Sequence, residues 1–417
     1  MRPTRREFLR SLALAALVGG ASPLLAQQAT APSAPDFEKD PLPDILAPYV
    51  QLTQGAVSTW VCVPARAARE VVIEGWDPGK NRVFARNPAA GRPIRGTPWT
   101  IWHAPVATNQ PYRILVDGLP HGGLRRLRAV ASADRARVAF LNDLHDRTGT
   151  LALAASRLTP ENHGLTVLLG DIFNDPSGRD GAERTFRTLH ALATLLRADE
   201  VPMLYLPGNH DYRGAFADRV DDLFLAPRIH PTGHDPKGGI GAADQGWDFG
   251  LGPLALIGAD TGEDFEKRPE VFHVLRERQL PGLRSALAKA KDAPWRVLAT
   301  HIPLFNDNIW NSEHARLTWT PTLAEGKVDL ALAGHDHRWK IVPAGKEQAI
   351  AFKASPKDSQ PLDRVVRYTP PFPTAIGGGP DPKAATVMLL EATSSRLSVR
   401  VLAALDGKEL TRLDLAR

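Results

Sequence analysis

The chain has 417 residues, 43% of them hydrophobic and 23% charged, with a formal net charge of +5. That length exceeds one ordinary domain and that apolar content is ample for packed cores, which excludes disordered, collagenous and coiled-coil classes. A single cysteine, Cys62, excludes an internal disulfide and a cysteine-built metal site.

Thr4-Arg5-Arg6-Glu7-Phe8-Leu9-Arg10 resembles a twin-arginine export signal. An apolar run from Ser11 to Leu25 follows, with Ala26 as the cleavage point. The run is too short to cross a bilayer comfortably, so residues 1–26 read as a cleaved signal peptide that leaves no stable membrane span. The resemblance implies passage through the twin-arginine translocation machinery and a periplasmic or secreted mature chain. Substrates of that route cross the membrane folded, often with a metal or cofactor inside. Arg2, Arg5, Arg6 and Arg10 against Glu7 hold +3 of the +5. The remaining +2 gives no indication of a nucleic-acid partner.

Residues 27–45, rich in Pro, Ala and Ser, read as a linker. Residues 46–132 carry short alternating runs between turn residues, such as Val57–Val63, Glu70–Glu74 and Pro111–Asp117. Even spacing without helix-length patterns predicts an all-β sandwich of the fibronectin or immunoglobulin kind. Trp60, Trp76, Trp99 and Trp102 are expected in its core and rim.

From residue 136 the pattern changes. Val138–Leu141, Leu165–Leu169, Met203–Leu206, Leu254–Ile257, Arg296–Ala299 and Val328–Leu332 are buried-strand runs. Helical spacing separates them at Thr150–Arg157, Arg179–Leu196 and His273–Lys291. Alternating strand and helix predicts an α/β domain over residues 136–405. Thr386–Leu390 and Arg396–Leu402 are late strands, Tyr368–Pro382 a proline-rich loop, and residues 406–417 a tail.

Five of these strands end alike. Asn142-Asp143-Leu144-His145 follows the first, Gly170-Asp171-Ile-Phe-Asn174-Asp175 the second, Gly208-Asn209-His210-Asp211 the third, His301 the fifth and Gly334-His335-Asp336-His337 the sixth. Sites in α/β domains are built at the carboxyl ends of strands. A single Asp or His there is usually a cap; five ends delivering Asp, His and Asn to one rim are a site. Imidazole, carboxylate and amide oxygen without thiolate suit Mn, Fe, Zn, Ni or Mg. Seven donors exceed one tetrahedral ion and match two ions sharing a carboxylate. Such a pair lowers the pKa of a shared water and supplies hydroxide at neutral pH.

The ordered set Asp-x-His, Gly-Asp-x-x-(Asn/Asp), Gly-Asn-His-Asp, a lone His and Gly-His-x-His resembles the calcineurin-like metallophosphoesterase superfamily. The resemblance implies an α/β (α+β) fold of two packed mixed β-sheets flanked by helices. It also implies two divalent or trivalent metal ions, with Mn, Fe or Zn favoured, and a small phosphorylated substrate. Asp143, His145 and His337 would bind the first ion, Asp171 both, and Asn209, His301 and His335 the second. The implied reaction is attack on a phosphate ester by a metal-bridging hydroxide. His210 would face the substrate as acid or stabiliser, with Asp211 orienting its ring. Gly208 is read as permitting a tight turn. Arg213 and His314 are further substrate-contact candidates; the remaining histidines match no motif.

A sandwich before this domain is similar to purple acid phosphatases. Those enzymes carry glycine where this chain has His145, and a tyrosine where it has Asn174. The departure implies a centre without iron(III)–tyrosinate charge transfer. Two other readings remain open: a non-catalytic, metal-stabilised envelope or carbohydrate-binding protein, and a hydrolase of pyrophosphate-linked lipids or nucleotides. The loops at residues 218–245 and 305–317 would decide the latter.

Overall fold

The computed structural model describes residues 37, 39–53, 58–107, 110–159, 161–177, 180–224, 246–263, 269–306, 313–352 and 364–417. The export signal and most of the linker lie outside them.

The apolar runs pair as their hydrophobicity demands. Arg135–Leu141, Leu165–Leu169 and Met203–Leu206 are adjacent and parallel, as expected of runs buried on both faces. They sit inside a ten-stranded mixed sheet. On one side come Thr386–Thr393, Arg396–Ala403 and Glu409–Ala416, all antiparallel. On the other come Tyr49–Thr53, Ser58–Ala65, Thr100–Val106 and Ala90–Pro93. A second mixed sheet has six strands, in the order Trp247–Leu251, Leu254–Gly258, Trp295–Ala299, Leu330–Ala333, Thr374–Ile376 and Lys340–Val342.

The two sheets share one core. Val138, Phe140, Val167, Leu204, Trp247, Leu256, Val297, Leu332 and Val399 are all buried in it. Each such side chain contributes about 1.5–3 kcal/mol on burial. The outer face of the six-stranded sheet is covered by the helices Pro269–Lys289 and Glu313–Glu325, through Leu283, Leu287, Trp319 and Leu323. Few helices flank the sheets, and strands dominate. Among the described residues no helix is long and apolar enough to cross a membrane.

The N-terminal β-rich segment forms a sandwich whose second sheet includes Val71–Asp77, Arg82–Pro88 and Pro111–Val116. Val50, Val61, Val63, Ile73, Tyr112 and Ile114 fill its core. Its first sheet is continuous with the ten-stranded sheet, because Tyr49–Thr53 pairs in parallel with Met203–Leu206. Trp99 stacks on Phe186 of the helix Gly181–Leu195, with ring centroids 4.8 Å apart. Contacts accordingly join Pro41–Arg417 into one unit.

Several local expectations change. Thr374–Ile376, expected in a loop, is a strand parallel to Leu330–Ala333. Three residues flanked by prolines and glycines carry too little pattern to be read alone. The expected tail supplies the edge strand Glu409–Ala416, whose Leu413 and Leu415 alternate toward the core. Residues 313–317, expected in a loop, open the helix Glu313–Glu325.

Candidate metal centre

Two neighbouring strand ends knit their loops together through the backbone. Asp143 N donates to Gly170 O at 3.0 Å and His145 N to Asp171 O at 2.9 Å. Across the core, Thr300 N donates to Leu332 O and Gly334 N to His301 O. The turns are sharp. Asp143, His145, Asp171, His335 and His337 all take left-handed backbone angles, with φ between 47° and 72°. For non-glycine residues each costs on the order of 1 kcal/mol, a strain typical of functional sites. Gly208 is required for a different reason from the one expected. Its φ is ordinary, but a Cβ there would collide with the Asp171 backbone nitrogen and the His301 ring.

Two groups of donors result. Asp143, His145, Asp171 and His337 place one ligand atom each within 4.8 Å of one another, and so do Asp171, His301 and His335. Asp171 belongs to both. Its Oδ2 lies 3.6 Å from His145 Nε2 and 3.2 Å from His301 Nε2, while Oδ1 accepts the His210 backbone N–H at 2.8 Å. Asn209 Oδ1 joins the second group, 3.1 Å from His301 Nε2 and 2.9 Å from His335 Nδ1. In the first group His337 Nε2 lies 3.2 Å from Asp143 Oδ1 and 3.1 Å from His145 Nε2.

Partners outside these groups set the imidazole tautomers. His145 Nδ1 faces Asn174 Oδ1 at 3.2 Å, and His301 Nδ1 faces Leu169 O at 2.9 Å. Each Nδ1 therefore donates outward, and each Nε2 is the nitrogen turned inward, where a ligand atom must be. Asn174 thus orients His145, in the position where purple enzymes place a phenolate. Two imidazole nitrogens converging at 3.1 Å beside a carboxylate fit a cation better than they fit each other. The residues present suit a pair of ions from the Mn, Fe and Zn range.

Charge balance agrees. Burial opposes the charge of Asp171, yet the pull of His301 and the nearby imidazoles hold its carboxyl well below the usual range. Burial also works against the His301 cation, but Asp171 and Asp143 overcome it and push the ring up to about 10. His335 is driven down to about 4 by burial and by His301. Below pH 10 the ion-free centre therefore holds a proton on His301 that a bound ion must displace. Ion affinity is expected to rise with pH, by up to about tenfold per unit, toward that value. Calorimetry in buffers of different ionisation enthalpy measures the released proton; no release at pH 7 rejects this charge assignment.

His210 stands against the first group, its ring centroid 4.6 Å from that of His145 in a T-shaped contact. Its Nδ1 pairs with Asp175 Oδ1 at 2.7 Å. Here the structure corrects the sequence reading: Asp175, not Asp211, orients the ring. Asp211 is buried, and its two oxygens accept the backbone N–H groups of Phe173 at 2.9 Å and Gly208 at 2.8 Å. The reason is the 3₁₀ turn His210–Tyr212, where three residues per turn set successive side chains about 120° apart. Burial and the charge of Asp171 push the Asp211 carboxyl up to about 8. Arg213 reaches the site, with Nη1 3.1 Å from His210 Nε2. His314 has a different setting, stacked on His273 at 3.7 Å and 3.5 Å from Glu277, both on the helix Pro269–Lys289.

Residues 136–339 match the calcineurin-like phosphoesterase family. The chain carries a calcineurin-like phosphoesterase domain. No curated protein matches the chain. Among solved structures it is similar to the purple acid phosphatase PPD1 from yellow lupin seeds, at 14% identity and a TM-score of 0.60, over 89% of this chain and 75% of that one. It is also similar to PhoD, at 12% identity and a TM-score of 0.57, over 89% of this chain and 88% of that one. Such identities speak for a shared fold. The calcineurin-like domain makes the protein a metal-dependent phosphoester hydrolase.

Two described tyrosines lie near the rim of this phosphoesterase domain. Tyr212 donates its hydroxyl to Asp260, and Tyr205 stacks on Phe224 at 4.2 Å. The Tyr212 hydroxyl is held by buried Asp260, and the position where purple enzymes carry tyrosine is Asn174, against His145 Nδ1. Iron-loaded, oxidised protein is therefore expected to show no intense visible charge-transfer band. An absorption spectrum with a violet band would place a phenolate on the metal.

Proposed function

We propose that the chain is an exported phosphoesterase that hydrolyses phosphate esters at a dinuclear metal centre. The observation that supports this is the position of Asp171, one carboxylate shared by two donor groups on converging strand ends. Asp143, His145, Asp171 and His337 would hold one ion; Asp171, Asn209, His301 and His335 the other. When bound, such ions supply Lewis acidity toward phosphoryl oxygens and a nucleophile at neutral pH.

The remaining chemistry falls to the chain's own residues. Asp175 Oδ1 accepts the hydrogen bond of His210 Nδ1–H, which leaves Nε2 on the side of Arg213 Nη1 at 3.1 Å. From there protonated His210 gives its Nε2 proton to the departing ester oxygen, or stabilises the phosphoryl oxygens. Asp211 holds the turn that presents it. Purified protein loaded with Mn, Fe or Zn is expected to hydrolyse p-nitrophenyl phosphate, bis-p-nitrophenyl phosphate or nucleotides. Inactivity of two-ion protein toward all of them would favour the non-catalytic reading.

Export is supported by the Thr4–Arg10 sequence. The variant R5K/R6K is expected to leave the full-length chain in the cytoplasm, whereas the native chain reaches the periplasm or medium. Equal fractionation of the two would reject the twin-arginine route.

A further inference from the structure

A sixth strand end, Ala259-Asp260-Thr261-Gly262-Glu263 after Leu254–Gly258, fits none of the metal motifs, yet Asp260, Thr261 and Glu263 are all buried. The helix Pro269–Lys289 anchors it. Buried Arg276 donates to Thr261 O at 2.8 Å and to Glu263 O at 2.6 Å. Gln279 pairs with both backbone groups of Asp260, at 2.8 and 2.7 Å. In turn the loop grips two catalytic turns. Thr261 Oγ1 accepts the N–H of Ile302, next to His301, at 3.1 Å. Asp260 takes the Tyr212 hydroxyl, and Glu263 takes Arg213 through Nε at 2.9 Å and through Nη2. A two-point guanidinium–carboxylate pair is a rigid fork. It turns the third nitrogen, Nη1, onto His210 Nε2 at 3.1 Å.

Building on the phosphoesterase reading, we propose that Arg213, held by Glu263, binds the third non-bridging oxygen of a phosphate monoester and makes monoesters the preferred substrates. Arg213 Nη1 and His210 Nε2 lie close enough to donate together to a single oxygen. A monoester has three non-bridging oxygens, a diester two. With two engaged by the rest of the centre, only a monoester offers a third acceptor to this donor pair. Arg213 contacts substrate; Glu263 acts through Arg213 and is a positioning residue.

The test compares p-nitrophenyl phosphate with bis-p-nitrophenyl phosphate, and measures inhibition by inorganic phosphate. Wild type is expected to favour the monoester in kcat/KM. Arg213→Gln should cut monoester kcat/KM by about 10–100-fold, as for one hydrogen bond to a charged group, and raise the phosphate inhibition constant similarly. Diester turnover should fall far less and reports that the variant is folded. Glu263→Gln should produce a smaller shift of the same selectivity ratio, and Arg213→Lys a partial recovery, because charge remains without the fork. Equal losses on both esters, an unchanged phosphate constant, or a wild type that prefers diesters overturns the assignment and leaves the phosphoesterase reading standing. Two-ion wild-type protein that hydrolyses neither ester overturns both.

Discussion

Asp171→Ala is expected to strip both ions from the protein and to lower ester hydrolysis by more than about four orders of magnitude. Asp171 Oδ2 faces ligands of both groups, 3.6 Å from His145 Nε2 and 3.2 Å from His301 Nε2. Each ion supplies several kcal/mol of transition-state stabilisation, so losing two exceeds the roughly 5.5 kcal/mol that a 10⁴-fold change represents. The side chain also accepts the His210 N–H, so Asp171→Asn, which keeps an acceptor there, separates loss of metal from loss of the turn. His145→Ala makes the contrast. His145 belongs to the first group alone, so its loss should weaken one ion and spare the other. Elemental analysis with circular dichroism measures these outcomes. Two ions retained in folded Asp171→Ala, or a single ion in fully active native protein, would refute the shared-carboxylate centre.

The second large effect concerns His210. His210→Ala should keep two ions and a normal fold while kcat falls by about 10²–10⁴-fold, the range for a positioned acid or base. The loss should fall on kcat because the interaction strengthens as charge develops. It should shrink for nitrophenolate leaving groups, which need little protonation. Asp175→Asn should give a milder loss of about 10–100-fold, since the ring remains but its Nδ1 partner at 2.7 Å is weakened. Asp211→Asn should act elsewhere. It removes one of two acceptors that hold the Gly208 and Phe173 N–H groups, so about 1–3 kcal/mol of stability goes before chemistry does. Metal content, kcat and melting temperature of the three variants on an alkyl and an aryl phosphate separate these roles. Full activity in His210→Ala rejects its part in the reaction; loss of an ion makes it a ligand; equal losses on both leaving groups leave it a stabiliser of phosphoryl oxygens.

The ordered motifs, the strands that carry them and the departure at Asn174 are all legible in the order of the amino acids. Each of these is written locally: an apolar run of four or five residues, then a polar cluster at its carboxyl end. Leu165–Leu169 and Met203–Leu206 could be read to the residue because they are buried on both faces and end at Gly170 and Pro207. Thr374–Ile376 could not, because a three-residue strand is defined by its neighbour Leu330–Ala333 more than by its own pattern. Nor could the sheet continuity through Gln51 and Met203, a pairing of segments 152 residues apart in the chain. The same limit applies at the site. Asp211 is the sequence neighbour of His210, and Asp175 lies 35 positions away; only the folded turn shows which carboxylate meets the ring. Glu263 lies 50 positions from Arg213 and belongs to no motif. Ligand identity is a matter of residue type at a strand end, which a sequence records. Which way a side chain leaves a turn, and which distant carboxylate it meets, depends on backbone angles and packing set by the whole fold.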